Sequence, residues 1–184
     1  SGCCRSRKNQ VIDMKWISKI GFCILVLMLL SASCREEPRS NRVYTKEELL
    51  EMNKKRMTGE SERINAYIEQ NEWKMEKTAT GLRYNIYHLG NGARPTTTMT
   101  AVISYDAFLL DGTKVESTEI SGPRQFRIEQ DDVISGLHEA VLLMGVGDSA
   151  KFIIPSYLAY GLTGEENIPS NATLVYDVAL LAIR

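Results

Sequence analysis

The alternation of apolar and polar positions changes character three times along the chain. From Ile20 to Leu30 the sequence is an almost unbroken apolar run of about a dozen residues, with Lys15 and Lys19 before it. That length suits the core of an export signal and falls short of the roughly 20 residues a membrane span needs. From Thr45 to Asn71 the spacing is helical. Thr45-Lys46-Glu47-Glu48 has capping-box spacing, with Thr45 as N-cap and Glu48 reaching back. It predicts a helix through about Met57 whose apolar residues are Leu49, Leu50 and Met52. Gly59 is expected to interrupt it. A second helical run, Glu60 to Asn71, sets Ile64, Tyr67 and Ile68 at i, i+3 and i+4 on one face. That stripe needs cover from the rest of the chain or from a second copy, a homodimer through the N-terminal helices.

From Trp73 the period shortens to that of strands. Leu82, Tyr84, Ile86 and Tyr87 predict an edge strand that stops at the Gly90-Asn91-Gly92 turn. Ala101 to Tyr105 is rich in strand formers, and Leu109-Leu110-Asp111-Gly112 carries the Asp-Gly signal of a tight turn. Phe126 and Ile128 alternate with Arg127. Gly136 to Met144, with Leu137, Val141 and Met144 aligned, is the one helical pattern in this part. Ala150 to Pro155 and Thr173 to Ile183 complete the strands. Antiparallel strands around one short helix, behind an N-terminal helical extension, make an α+β protein. The expected divisions are residues 1–13 ahead of a plausible start at Met14, a signal segment 14–34, a linker 35–44, the extension 45–72 and the main domain 73–184.

Composition narrows the reading further. With 184 residues and a net charge of −1, the chain is long enough for one cored domain and offers nothing electrostatic to a nucleic acid. Its cysteines are Cys3, Cys4, Cys23 and Cys34, so the domain beyond has neither disulfide nor cysteine nucleophile. His88 and His138 stand far apart without a ligand cluster, which argues against a metal, and His138 is expected to face solvent. Asn171-Ala172-Thr173 fits a glycosylation acceptor pattern but reads better as a turn before a strand. Leu30-Ser31-Ala32-Ser33-Cys34 resembles the lipobox of bacterial lipoproteins, in which Cys34 would be lipidated, although Ser31 departs from the usual aliphatic residue. An ordinary cleaved signal and an uncleaved anchor remain the alternatives. Arg35-Glu36-Glu37-Pro38 resembles the surface-export signal of Bacteroidetes lipoproteins and reads equally well as a solvated tether.

The candidate chemistry is concentrated from Val133 onward. Val133-Ile134-Ser135-Gly136 precedes the short helix, Met144-Gly145-Val146-Gly147-Asp148 ends it, and Ala159-Tyr160-Gly161 and Asn171-Ala172-Thr173-Leu174-Val175 follow. Nothing in this run pairs a nucleophile with a base. It supplies apolar and aromatic side chains around glycine- and proline-containing loops, as a pocket for an apolar guest requires. From Leu82 to Arg184 the motifs resemble, in order, those of the FKBP-type peptidyl-prolyl isomerases. The resemblance implies an antiparallel sheet wrapped around one short helix, rotation of X–Pro bonds in exported polypeptides, and no cofactor. It implies catalytic roles for Tyr105, Ile134 (through its backbone N–H) and Tyr160. It implies substrate-binding roles for Val115, Glu116, Phe126, Val133, Leu137, Ile168 and Tyr176. Val133, Leu137 and Tyr176 would serve equally as core in any compact domain. Many exported members of the family also carry an N-terminal helical segment and dimerise through it. With the lipobox, the expected place is a Gram-negative envelope, lipid-anchored at the outer membrane on its periplasmic or outer face. Gliding-associated lipoproteins of Bacteroidetes include members of this shape.

Departures from the family pattern weigh on the activity. Val115-Glu116 stands where the family has Phe-Asp, Leu137 where a tryptophan is frequent, and Arg124-Gln125 where a second pocket aromatic can sit. The loop Thr163 to Asn167 is about a residue shorter than in the small human-type members and carries Glu165 and Glu166. A shallower pocket and modest catalysis are expected. The alternative is a peptide-binding or chaperone module with weak or no turnover.

Overall fold

The computed structural model describes residues 43–184. The signal segment, Cys34 and the linker up to residue 42 lie outside the described residues. Thr45–Arg184 form one compact unit. Helix α1 (Lys46–Gln70) opens on the expected capping box: the Glu48 N–H donates to Thr45 Oγ1 at 3.2 Å, and the Thr45 N–H donates to Glu48 Oε2 at 2.9 Å.

The expected break at Gly59 does not occur. The helix runs straight through it, because a glycine costs an exposed helix only about 1 kcal/mol relative to alanine. Continuity keeps Glu60 and Ile64, its two buried residues, in register one turn apart. Ile64, Tyr67 and Ile68 pack with Ile153, Val175, Trp73, Met75, Phe108 and Leu110, so the stripe is covered by the chain's own sheet. Leu49, Leu50 and Met52 stay exposed.

The sheet follows the order β1 (Glu76–Lys77), β2 (Arg83–His88), β6 (Ser149–Ile154), β7 (Leu174–Ile183), β3 (Thr100–Leu109), β4 (Lys114–Ser117), with β5 (Arg124–Arg127) beside β3. Every pairing is antiparallel. Short β1 covers only the first two residues of β2, so the expected edge strand remains an edge over most of its length. β6 and β7 are covered on both faces. Ile153 and Val175 meet α1, while Phe152, Ile154, Leu174 and Tyr176 face the main core with helix α3 (Ser135–Leu142). Burial on two sides explains why β6 is a continuous apolar run from Phe152 to Ile154.

The edge beside β3 is split. Its first half pairs with β5 (Ala101 opposite Phe126) and its second with β4 (Ala107 opposite Glu116). Between them a single turn, α2 (Thr118–Ser121), leaves the ladder. This turn corrects the expectation of one helical segment in the domain, as does a 3₁₀ turn at Ser156–Leu158. Thr118 replaces the lost ladder with its side chain: Oγ1 accepts from the Tyr105 N–H at 2.8 Å and donates to the Tyr105 carbonyl at 3.1 Å. Four residues show no periodicity, and the signal here is the tendency of Ser and Thr to bond to backbone.

The turns are fixed by close backbone approach. A Cβ at Gly90 would lie 2.4 Å from the Val146 carbonyl oxygen, and buried Asp148 accepts from the Gly90 and Gly145 N–H groups, both at 2.7 Å. His138, expected at the surface, is half-buried instead. Its Nδ1 accepts from the Glu129 N–H at 3.0 Å and its Nε2 lies 3.2 Å from the Asp131 carbonyl. With Nδ1 accepting, a proton on Nε2 satisfies both contacts.

Candidate active site

Helix α3, strand β4 and the loop after β6 enclose a cavity of about 530 Å³. Leu137 and Tyr176, both almost fully buried, give it an apolar base. Val133, Ile134, Ala159 and Tyr160 add to the walls. The glycine of Val-Ile-x-Gly explains how α3 reaches them. A Cβ at Gly136 would stand 2.4 Å from Ile154 Cγ2, so only glycine lets the first turn of the helix rest on β6. Ser135 Oγ donates to the Leu158 carbonyl at 3.2 Å and ties that turn to the loop bearing Tyr160. Ile134 is the helix N-cap, and its N–H meets no acceptor among the described residues.

The rest of the lining is polar: Glu116, Arg124, Asp132, Ser135, Thr163 and Glu165. Glu116 organises the inner part. Its Oε2 accepts from the Tyr105 hydroxyl at 2.9 Å and its Oε1 from the Tyr160 hydroxyl at 3.1 Å. Arg124 donates to the Tyr105 hydroxyl at 3.2 Å, and the Tyr105 ring lies 5.2 Å from that of Tyr176. Burial, then the negative Glu116 and the hydrogen bond to it, push the Tyr160 hydroxyl well above the usual tyrosine range. Burial does the same for Tyr176, with Glu116 again contributing, and burial foremost raises Tyr105. All three hydroxyls therefore stay protonated, and those of Tyr105 and Tyr160 donate to Glu116.

Of the residues expected at the site, Glu116, Val133, Ile134, Leu137, Tyr160 and Tyr176 line the cavity, and Tyr105 joins them through its hydroxyl. Val115 and Ile168 line a smaller adjoining hollow of about 110 Å³ that shares Glu116 and Glu165 with the first. Phe126 does not line the cavity. It is buried in the core with the His138 ring edge-on at 5.3 Å. Arg124, two residues earlier and therefore on the same face of β5, takes the cavity position. Asp132, Ser135, Ala159 and Thr163 were not anticipated. They lie in or beside irregular segments, where no periodicity marks which residues point inward. Among the described residues, no cluster of His, Cys, Asp or Glu could hold a metal ion.

An antiparallel sheet closed on one short helix, with an aromatic-based cavity between them, defines an FKBP-like fold. Residues 92–181 match the family model described as FKBP-type peptidyl-prolyl cis-trans isomerase. The chain is 46% identical over 110 residues to the FKBP-type peptidyl-prolyl cis-trans isomerase FkpA of Aeromonas hydrophila, covering 59% of this chain and 40% of that protein. It is 36% identical over 107 residues to the outer membrane protein MIP of Legionella longbeachae, covering 57% of this chain and 45% of that protein. The matched stretch thus spans less than half the length of these two relatives. The crystal structure of FkpA from Escherichia coli superposes with a TM-score of 0.62 at 25% identity, covering 97% of this chain and 99% of that one.

Proposed function

We propose that this protein is a peptidyl-prolyl cis–trans isomerase acting on X–Pro bonds of exported polypeptides. Rotation about an ordinary peptide bond must cross about 18–20 kcal/mol of lost amide resonance, and somewhat less before proline. No proton has to move. A site lowers the barrier by stripping water from the amide and by binding the twisted form more tightly than either planar one. The observation that carries the reading is the unengaged Ile134 N–H at the wall of a cavity based on Leu137 and Tyr176. There a substrate carbonyl gains a donor while the proline ring is buried. Tyr160 adds a neutral hydroxyl to the same wall, shared with Glu116 until a peptide competes for it.

The polar lining favours a second reading, a peptide-binding or chaperone module with little turnover. Arg124 and Glu116 bring polar, charged side chains to a space that catalysis by desolvation needs dry. A prolyl isomerisation assay on soluble protein beginning after Cys34, with and without the macrolide FK506, separates the two. Turnover suppressed by the drug supports the isomerase. Drug binding without turnover supports the module, and a chain that shows neither turnover nor drug binding would overturn both readings.

The motif ending at Cys34 supports export and a lipid anchor, with the domain held at the outer membrane on either face. The Legionella relative is an outer membrane protein, which supports an envelope location. Metabolic labelling of Cys34 with a fatty-acid analogue tests the anchor; an unlabelled wild-type chain refutes it. No helix among the described residues is long and apolar enough to cross a membrane.

A further inference from the structure

Glu60 is a carboxylate on the appended helix, 2% exposed. No cation pairs with it among the described residues. A buried charge left without partners is costly, and here three donors supply them. Glu60 Oε1 accepts from the Ser156 N–H at 2.6 Å and the Thr173 hydroxyl at 2.7 Å, and Oε2 accepts from the Ser156 hydroxyl at 3.0 Å.

Those donors occupy particular places. Ser156 begins the 3₁₀ turn after β6, and the residue before it, Pro155, has no side chain able to cap that turn. Glu60 caps it from another element. Thr173 is the last residue before β7. One carboxylate thus holds both ends of the loop that leaves the sheet at Ser156 and returns at Thr173.

That loop carries Tyr160 and Ile168. The tie at Ser156 continues directly to Tyr160, because the Ser156 carbonyl accepts from the Ala159 N–H at 3.0 Å and the Gly161 N–H at 2.8 Å, the two neighbours of Tyr160. The Gly161 carbonyl then accepts from the Asn171 N–H at 2.7 Å on the returning limb. Helix α1 has a separate attachment beside Glu60. Buried Arg83 donates to Ser61 Oγ at 3.1 Å and Asn65 Oδ1 at 3.3 Å, and Ile64 is packed on the sheet. Loss of the carboxylate therefore leaves the helix docked.

We propose that Glu60 is a positioning residue for the prolyl site, fixing from helix α1 the loop that places Tyr160 and Ile168. The assignment rests on the isomerase reading above. It follows that helix α1 is part of the machinery that shapes the cavity, although none of its residues lines it.

The test compares the full chain in detergent with its Glu60→Ala and Glu60→Gln variants by hydrogen exchange and by kcat/KM, well below the melting temperature. In Glu60→Ala the amides of 156–161 and 171–173 exchange at least about tenfold faster, while strands β6 and β7 keep their protection. kcat/KM falls about tenfold, since small displacements of a reacting group cost this much or more. Glutamine retains an acceptor for the Ser156 N–H and Thr173, and returns both readouts to within about twofold of wild type. Thr173→Val removes one tie without removing the carboxylate, and gives a smaller loss, about threefold, should the alanine variant fail to fold. Unchanged loop exchange, equal loss of protection in the strands, or faster loop exchange with unchanged kcat/KM would each overturn the proposal. A wild-type chain without turnover would defeat only the isomerase reading, and the exchange pattern would still decide whether Glu60 holds the loop.

Discussion

Replacing Tyr160 with Phe keeps the ring in the cavity wall and removes a single atom, the hydroxyl that donates to Glu116 at 3.1 Å. The dry surface presented to a proline is unchanged, so the variant isolates the hydrogen bond. One such bond is worth about 0.5–1.5 kcal/mol net, and about 1.4 kcal/mol corresponds to a factor of ten in rate. If the hydroxyl leaves Glu116 to meet the peptide as the amide twists, kcat/KM falls about two- to tenfold. The melting temperature should hardly move, because Glu116 keeps the Tyr105 hydroxyl at 2.9 Å. Isomerisation of a short prolyl peptide, followed by exchange NMR so that no coupling protease intervenes, gives the rate. A calorimetric melt on the same sample gives the stability. An unchanged kcat/KM with a lowered melting temperature would refute the assignment and leave the hydroxyl as a brace for Glu116.

Three further predictions rest on the same structure. The cavity hydroxyls all titrate above the ordinary tyrosine value, so kcat/KM should stay level between about pH 7 and 9; a fall with an apparent midpoint near 9 in the pH–rate profile would contradict this. The stability these tyrosines contribute is complete below the unfolded value of about 10 and is lost as pH rises through the raised folded values. Tyr87, pushed up to about 12 chiefly by burial and then by its bond to Asp177, adds to that loss, which urea melts at about pH 8 and 11 would register. Gly136→Ala forces a methyl into the space of Ile154 Cγ2. It should destabilise by about 1–3 kcal/mol and lower FK506 affinity by shifting Ile134, whereas a variant of wild-type stability and affinity would show that the close approach is dispensable.

Much of the fold was legible because burial leaves a local pattern. The capping box at Thr45, the stripe of Ile64, Tyr67 and Ile68, the Asp-Gly turn and the runs that became β3, β6 and β7 all appear where periodicity put them. The Val-Ile-x-Gly motif likewise marked the cavity, since the close approach of α3 to β6 demands a glycine at one position. Failures occurred where local preference and tertiary context conflict. Gly59 is a weak helix former, yet its cost is small and the burial of Glu60 and Ile64 just beyond it carries the helix through. Phe126 is an apolar residue near other pocket residues, yet His138 covers it and Arg124 takes the lining position.

The sequence by itself determined the alternation that makes an antiparallel sheet and one core helix, and the identity of the aromatic and apolar residues available to a pocket. Each of those properties depends on residues a few positions apart, so it is written locally. Tertiary structure alone decided the polar wiring. Glu60 lies 96 residues from Ser156 and 113 from Thr173, and Tyr160 lies 44 from Glu116. A hydrogen bond between such distant groups leaves no spacing to read. It exists because a buried polar atom must find a partner wherever the fold brings one within reach.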